Sequence, residues 1–325
     1  MGREHLRSHI GYRRLFANGA LTLGVVFPLV RVAKAMPDMS QQLRIAELAD
    51  SLGFASLWAR DVPLYDPSSP DVGQLYDPWV WLGAVAAATR NIALCTAAIV
   101  LPVRHPLHVA KAAATVDVLS GGRFVLGIAS GDRPREFAAF NVSHDDVASR
   151  FRDAHRYMLS ALHEDFPEID SPMGNMAGLD LLPKPLTGKL PHLSVGNARQ
   201  TIEWIAGNTD GWVTYPRDIE SQRKWVELWR TTVQRQSPER FLPFSELLFV
   251  ELEEHADADA IPVYLGYKLG RRRLVEHLDS LREIGINHVI LNLTLNNRPI
   301  SEVMQEIAEY VLPFFPLPTA EVAAK

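Results

Sequence analysis

Cysteine is almost missing from this chain: Cys95 is the only one in 325 residues. An intramolecular disulfide is excluded, and so is a cysteine-rich metal centre. A single thiol suits a reducing compartment, and the expected setting is the cytoplasm. An excess of basic charge is also lacking. Lys and Arg number 33 against 38 Asp and Glu, a formal net charge of −5. Bulk electrostatics therefore give no footprint for a nucleic acid. No apolar run reaches the ~18 residues that a membrane-spanning helix needs. The motifs GxxxxGK[ST], HExxH, CxxC and GxSxG do not occur, which removes the sequence signals of a P-loop, a zincin, a thioredoxin-like redox pair and a nucleophile elbow.

One stretch has the parts of an export signal. "RRLF" (13–16) precedes an apolar run at 20–30 and "AKA" at 33–35, the layout of a twin-arginine leader. The alternative is an N-terminal arm, 1–19, leading into the first core strand. The second reading is preferred, because cleavage after Ala35 would delete "LTLGVVF" (21–27), which the architecture needs.

Apolar runs of strand length recur along the chain at 21–27, 55–60, 92–99, 123–129, 192–195, 211–215, 246–252 and 288–293. Helical patterns separate them, at 39–52, 78–89, 106–119, 147–163, 198–207, 218–235, 270–284 and 300–312. Gly53 and Gly285 stand where helix-ending glycines belong. Eight strands alternating with helices predict parallel βα units. In about 300 residues they fit one (β/α)8 TIM barrel over 20–315, followed by a tail at 316–325. A doubly wound sheet is the alternative, but "VVFPLVRVAKAMP" after the first strand lacks the GxGxxG fingerprint. Two connections exceed what a barrel requires, 63–78 and 165–190. The first follows a strand and belongs to the C-terminal face, where barrel sites are built. The second starts at the other end and is long enough to cross over. Each is read as a lid or as a plain surface loop.

Candidate chemistry gathers after the predicted strands. "RFVLGIASGDRP" (123–134) is a buried strand running into a polar turn. Its "GIASG" puts Ala129 before Ser130, one residue out of register for a hydrolase nucleophile. His105 and His108 stand three apart, but Pro106 places His105 ahead of the helix, as a loop-end histidine bonded to backbone. Asp61 and Asp132 each follow a strand and have arginines nearby, namely Arg60, Arg133 and Arg135. They are read as catalytic carboxylates or as rim ion pairs. "SVGNARQT" (194–201) is a strand end, a turn and a helix start, read as a set of donors that suits an anion or as an ordinary helix cap with no ligand. In "TAAIVLP" (96–102), paired alanines at a strand end leave room for a flat ligand, or else fill a barrel that needs small residues.

The segments at 52–63, 96–142 and 194–212 together resemble the bacterial-luciferase-like flavin monooxygenases in order, spacing and wording. The resemblance implies a (β/α)8 barrel with a flavin at its C-terminal face. The cofactor is reduced FMN supplied by a separate flavin reductase and used with O2 on a small organic substrate. Part of the family uses a deazaflavin coenzyme for hydride transfer instead, and a flavin-binding protein without turnover is a further alternative. By position, the resemblance implies a cis peptide at Ala97–Ala98 behind the ring. It also implies Ala129 and Ser130 beside ring and phosphate arm, and Gly196, Asn197, Arg199, Gln200 and Thr201 around the phosphate. Arg133 or Arg199 stands in for an arginine that some relatives carry where this chain has Ser130. Trp212 or Tyr215 is expected to flank the ring. The histidine that follows the strand-two acid in light-emitting members is replaced here by Val62 and Pro63, so light emission by that mechanism is not expected. The general-base candidates are Asp61, His105 and Tyr215. Relatives commonly pair through helices near strands two and three, which makes 79–88 a candidate segment for a homodimer or higher homo-oligomer, or equally a helix that only covers the barrel.

Overall fold

A computed structural model describes residues 6, 8–29, 39–66 and 76–318. The apolar runs become strands because each is bounded by turn residues and is too short and too β-branched to favour helix. Eight of them close a barrel: β1 (Thr22–Phe27), β2 (Ser56–Ala59), β3 (Ala93–Thr96), β5 (Phe124–Ala129), β6 (His192–Val195), β7 (Trp212–Thr214), β8 (Phe244–Leu252) and β11 (His288–Asn292). Every pairing around the ring is parallel. β1 lies between β2 and β11, and β11 in turn pairs with β8, which completes the circle. The short β4 (Ile99–Val100) continues past the end of β3 and pairs with β5. Among the described residues no helix is long and apolar enough to cross a membrane.

Side-chain alternation divides the strands into two cores. One parity points out to the helix layer: Leu23, Val25, Leu57, Leu94, Leu126, Ile128, Leu248 and Leu291 belong to this larger cluster. The other points inward, where Val26, Trp58, Cys95, Val125, Leu193, Val213 and Ile290 fill the barrel. A buried polar layer lies beneath them. His288 contacts the hydroxyl of Thr22 at 2.7 Å and that of Ser56 at 2.8 Å. Burial holds this imidazole neutral, its pKa lowered to about 3.

The helices start where the sequence supplies caps. Asp77 and His105 cap α3 (Pro78–Ala88) and α4 (Pro106–Leu119), each with proline in the first turn. α2 (Gln42–Ser51) precedes β2, and α1 (Ile10–Leu15) lies across the bottom of the barrel. Tyr12, Leu15 and Phe16 join the inner core from below, and the Tyr12 hydroxyl donates to the Asp210 carbonyl at 2.9 Å. A side chain at Gly11 would sit 2.4 Å from the Arg123 carbonyl, so the close approach of this plug depends on glycine. Residues 21–27, the stretch that leader cleavage would remove, form β1.

Two pieces were not expected. α5 (Pro134–Ala139) follows β5 at the C-terminal face. The hairpin β9 (Ile261–Val263) and β10 (Gly266–Leu269) extends the sheet beside the far half of β8. Pro262 and the short apolar runs hide this hairpin from a period-two reading. The remaining helices are α6 (Val147–His163), α7 (Ile202–Asn208), α8 (Ile219–Gln236), α9 (Arg271–Glu283) and α10 (Ile300–Tyr310). The long connection after α6 does cross the molecule. Met173 reaches His105 at the C-terminal face, and the chain then runs down α4 to bond Asp117 through the Leu186 N–H. Residues 67–75 of the other long connection lie outside the described residues.

Candidate functional site

The barrel is plugged below, so access is from above, and inward-pointing residues near the strand ends mark the opening. Ala97, Ala129, Val195, Leu247 and Phe249 share the inward parity and are only partly buried, as is the neighbouring Ala98. They make an apolar bowl with small residues on the β3 and β5 side. The peptide bond between Ala97 and Ala98 is cis. Thr96, just before it, clasps Gly127: its hydroxyl donates to the Gly127 carbonyl at 2.8 Å and accepts the Gly127 N–H at 2.9 Å. A side chain at Gly127 would collide with the Thr96 carbonyl at 1.8 Å, so β3 and β5 approach this closely only with glycine there. Ser130 is buried at the end of β5.

One rim of the bowl is the loop between β6 and α7. Gly196, Ala198 and Arg199 have φ of 63°, 47° and 56°, a run of left-handed residues that turns successive N–H groups to one side. Gly196 itself is committed to the scaffold. Its N–H goes to Val213 and its carbonyl accepts from Ser194 and Trp212. Gln200 is committed as well, donating to the Ala148 and Ala198 carbonyls and accepting from Arg152. The Thr201 hydroxyl caps α7 by accepting the Trp204 N–H at 3.2 Å. The backbone N–H groups of Asn197, Ala198, Arg199 and Thr201, by contrast, find no acceptor among the described residues. Arg199 adds positive charge: its guanidinium lies 6.0 Å over Phe137 and contacts His144 Nε2 at 2.7 Å. The β5–α6 connection and the β6–α7 loop therefore meet at one corner of the mouth.

The family model for luciferase-like monooxygenases matches residues 21–296. The chain belongs to the luciferase-like monooxygenase family. An uncharacterised Mycobacterium tuberculosis protein is 33% identical over 195 residues, 54% of this chain and 67% of the relative. An F420-dependent secondary alcohol dehydrogenase, solved with an F420–acetone adduct, superposes with a TM-score of 0.74 at 15% identity, covering 93% of this chain and all of that one. The oxygenating constituent of 3,6-diketocamphane monooxygenase from Pseudomonas putida, solved with FMN, gives 0.72 at 16% identity, covering 92% of this chain and all of that one.

Within this luciferase-like barrel the expected site residues separate into groups. Ala97, Ala98, Ala129, Ser130, Gly196, Asn197, Arg199, Gln200 and Thr201 come together around the mouth. Trp212 does not. It has outward parity, is buried, and packs against Trp225 and Trp229 of α8 and against Phe244. Strand alternation decides this: Val213 points inward, so Tyr215, two residues on, is the aromatic with inward parity, and it is exposed.

Two of the three general-base candidates are tied down. Asp61 is buried and held by Arg104 through two bonds of 2.8 and 2.6 Å, and it also accepts the Val100 N–H at 3.1 Å. Arg104 also reaches Asp77 at 3.2 Å. Burial alone would lower the Arg104 guanidinium, but these two carboxylates reverse that and raise its pKa. His105 accepts the Leu107 N–H on Nδ1 and contacts the Met173 carbonyl through Nε2, the helix-capping role that its place before Pro106 suggests. Asp132 is exposed, and Arg135 pairs with Asp66 at 2.8 Å.

Sequence reasoning missed Glu136. It lies in the first turn of α5 with its carboxyl buried, and its Oε1 has no hydrogen-bond partner among the described residues. Burial raises its pKa, and the negative charges of Asp61 and Asp132 add to this. Arg133 and the Leu64 N–H oppose it. The usable signal was Pro134, an N1 proline announcing a helix whose first turn carries an acid. The Arg104–Asp61 link had no such signal, since 43 residues separate the partners.

Proposed function

We propose that this luciferase-like protein binds reduced FMN in the bowl and uses it with O2 to oxygenate a small organic substrate. A separate flavin reductase supplies the cofactor, and the setting is the cytoplasm. The observation that carries the reading is the 197–201 loop. Four N–H groups without acceptors and a guanidinium flank an apolar floor of alanines, the donor set that a phosphate attached to a flat ring requires.

Bound there, reduced FMN would supply the two electrons with which O2 delivers one oxygen atom to the substrate and releases the other as water. The protein's part is to hold and orient. Asn197, Ala198, Arg199 and Thr201 hold the phosphate, with Arg133 near the same corner. Ala97, Ala98 and Ala129 bear one face of the ring, and Tyr215 stands on the opposite side of the mouth. Asp61 acts as a positioning residue. Through Arg104 and the Val100 N–H it fixes the chain that follows the alanine step. Glu136 and Tyr215 are the groups at the mouth suited to holding a proton, Glu136 because its pKa is raised. A homodimer through α3, where Val80 is 76% exposed, belongs to the same proposal.

Anaerobic titration with photoreduced FMN and with a reduced deazaflavin tests the cofactor, and O2 consumption with a reductase present tests the chemistry. Saturable binding of reduced FMN and substrate-dependent O2 uptake are expected. Tighter deazaflavin binding would replace oxygenation with hydride transfer. Binding without turnover of any substrate would make the protein a flavin carrier.

A further inference from the structure

The end of the barrel opposite the bowl holds a second concentration of positive charge. A cavity of 280 Å³ is lined by Arg13 and Arg14 of α1, Arg90 and Asn91 on the turn before β3, Arg123 before β5, and Ile10, Leu317 and Pro318. Among the described residues no carboxylate lines it. The nearby carboxylate, Asp50, already accepts the N–H groups of Arg90, Asn91 and Ile92.

The four guanidinium groups have different duties. Arg123 is 5% exposed and spends its donors on Ser120, Thr89, Ile92 and Ala86. It therefore lends charge but no free N–H. Arg14 donates Nε and Nη2 to the Ala55 and Phe54 carbonyls, which leaves Nη1. Arg13 and Arg90 make no side-chain hydrogen bond or ion pair among the described residues. Burial lowers the pKa of Arg14 and of Arg123, and Asp50 only partly offsets it. Four cations held together with Asp50 as the nearby counter-charge keep an excess of positive charge that an anion relieves, and guanidinium forks match the geometry of oxyanions.

We propose that this cavity binds a phosphate group, as the free dianion or as a phosphate monoester. Arg13, Arg90 and Arg14 Nη1 donate to the oxygens, while Arg123 supplies fixed charge. An apolar cavity of 210 Å³, lined in part by Leu23, Leu52, Ala308 and Phe315, shares Leu317 with it and would take the organic part of a monoester. The ligand would join α1 to the β3 and β5 ends, so its binding would stabilise the plug.

The test is calorimetric titration of the full chain with inorganic phosphate and with butyl phosphate at low ionic strength. It is repeated on the double variant R13A/R90A and on R199A, with circular dichroism confirming that each is folded. R13A/R90A should bind at this cavity at least tenfold more weakly than wild type, while R199A, which removes a donor of the proposed FMN phosphate site, should keep the binding that depends on Arg13 and Arg90. Butyl phosphate binding tighter than phosphate would assign the site to monoesters, and equal affinity would assign it to the free dianion. Phosphate should also raise the melting temperature of the wild type more than that of R13A/R90A. The absence of saturable binding would overturn the proposal, as would unchanged affinity in R13A/R90A or loss of binding in R199A.

Discussion

A carboxylate's neighbours decide what it can do, and three buried acids of this chain differ in that respect. Asp61 has both oxygens committed to Arg104. Replacing it with Asn leaves a partly buried guanidinium short of its partner. D61N should lose about 3 kcal/mol of stability, read as a lower midpoint in urea, and should disturb the chain at Val100. Glu246 is different again. It is buried between β8 and α8, Gln222 donates to its Oε2 at 2.5 Å, and Arg217 faces it. Burial raises its pKa from 4.5 to about 7. The folded state therefore keeps a proton that the unfolded chain releases between these two values. Stability contributed by this group is present below about pH 4.5, is lost as pH rises towards 7, and does not return above it. The shift corresponds to about 3 kcal/mol. E246Q should accordingly be more stable than wild type at pH 8, with the gap narrowing towards pH 5, as unfolding curves at both pH values would show. An equal gap at the two values would mean that Glu246 is ionised in the folded protein. Glu136, at the mouth, is the acid whose raised pKa suits proton transfer. E136Q should lower turnover and remove an ionisation from the pH–rate profile while leaving flavin affinity within about twofold.

At the scale of elements, the β6–α7 loop is held in shape by residues that do not face the proposed ligand. Gln200 binds it to α6 through the Ala148 carbonyl and Arg152, and Trp212 fastens Gly196 from behind. Q200A should loosen the loop and weaken reduced FMN several-fold without moving the melting temperature by more than ~2 °C, since the side chain is half-buried and outside the apolar cores. Element existence was legible in the sequence because period, caps and glycines agreed. "DPWVW" announces α3 through its cap and proline, and "REIGI" ends α9 at Gly285. Side-chain direction was less legible. In "GWVTY" both aromatics were candidates for the ring, and only the observed strand shows that Trp212 and Tyr215 have opposite parity. The hairpin at 261–269 and the short α5 were missed because neither carries enough apolar residues to display a period.

For the whole molecule, the order of eight strands closing through β11 was foreseeable from their count, and the floor of the barrel was not. The stretch set apart as an arm at 1–19 contributes Tyr12, Leu15 and Phe16 to the inner core. No local pattern marks six residues as a plug, because their partners lie on strands spread over the chain. Long-range pairs such as Arg104 with Asp61 were invisible for the same reason. What the plug implies is a barrel open only at its C-terminal face. Filling the bowl there should abolish cofactor binding and spare the fold. A129F is expected to weaken reduced FMN more than tenfold while retaining a wild-type unfolding midpoint.

The central claim is that a flavin sits in this bowl with its phosphate on the 197–201 loop. Reduced FMN and reduced riboflavin share the ring and differ only in the phosphate, so their anaerobic dissociation constants, measured side by side on the wild-type chain, test it most directly. The account predicts that FMN binds at least tenfold more tightly and that R199A narrows the difference. Equal affinity for the two flavins would contradict it.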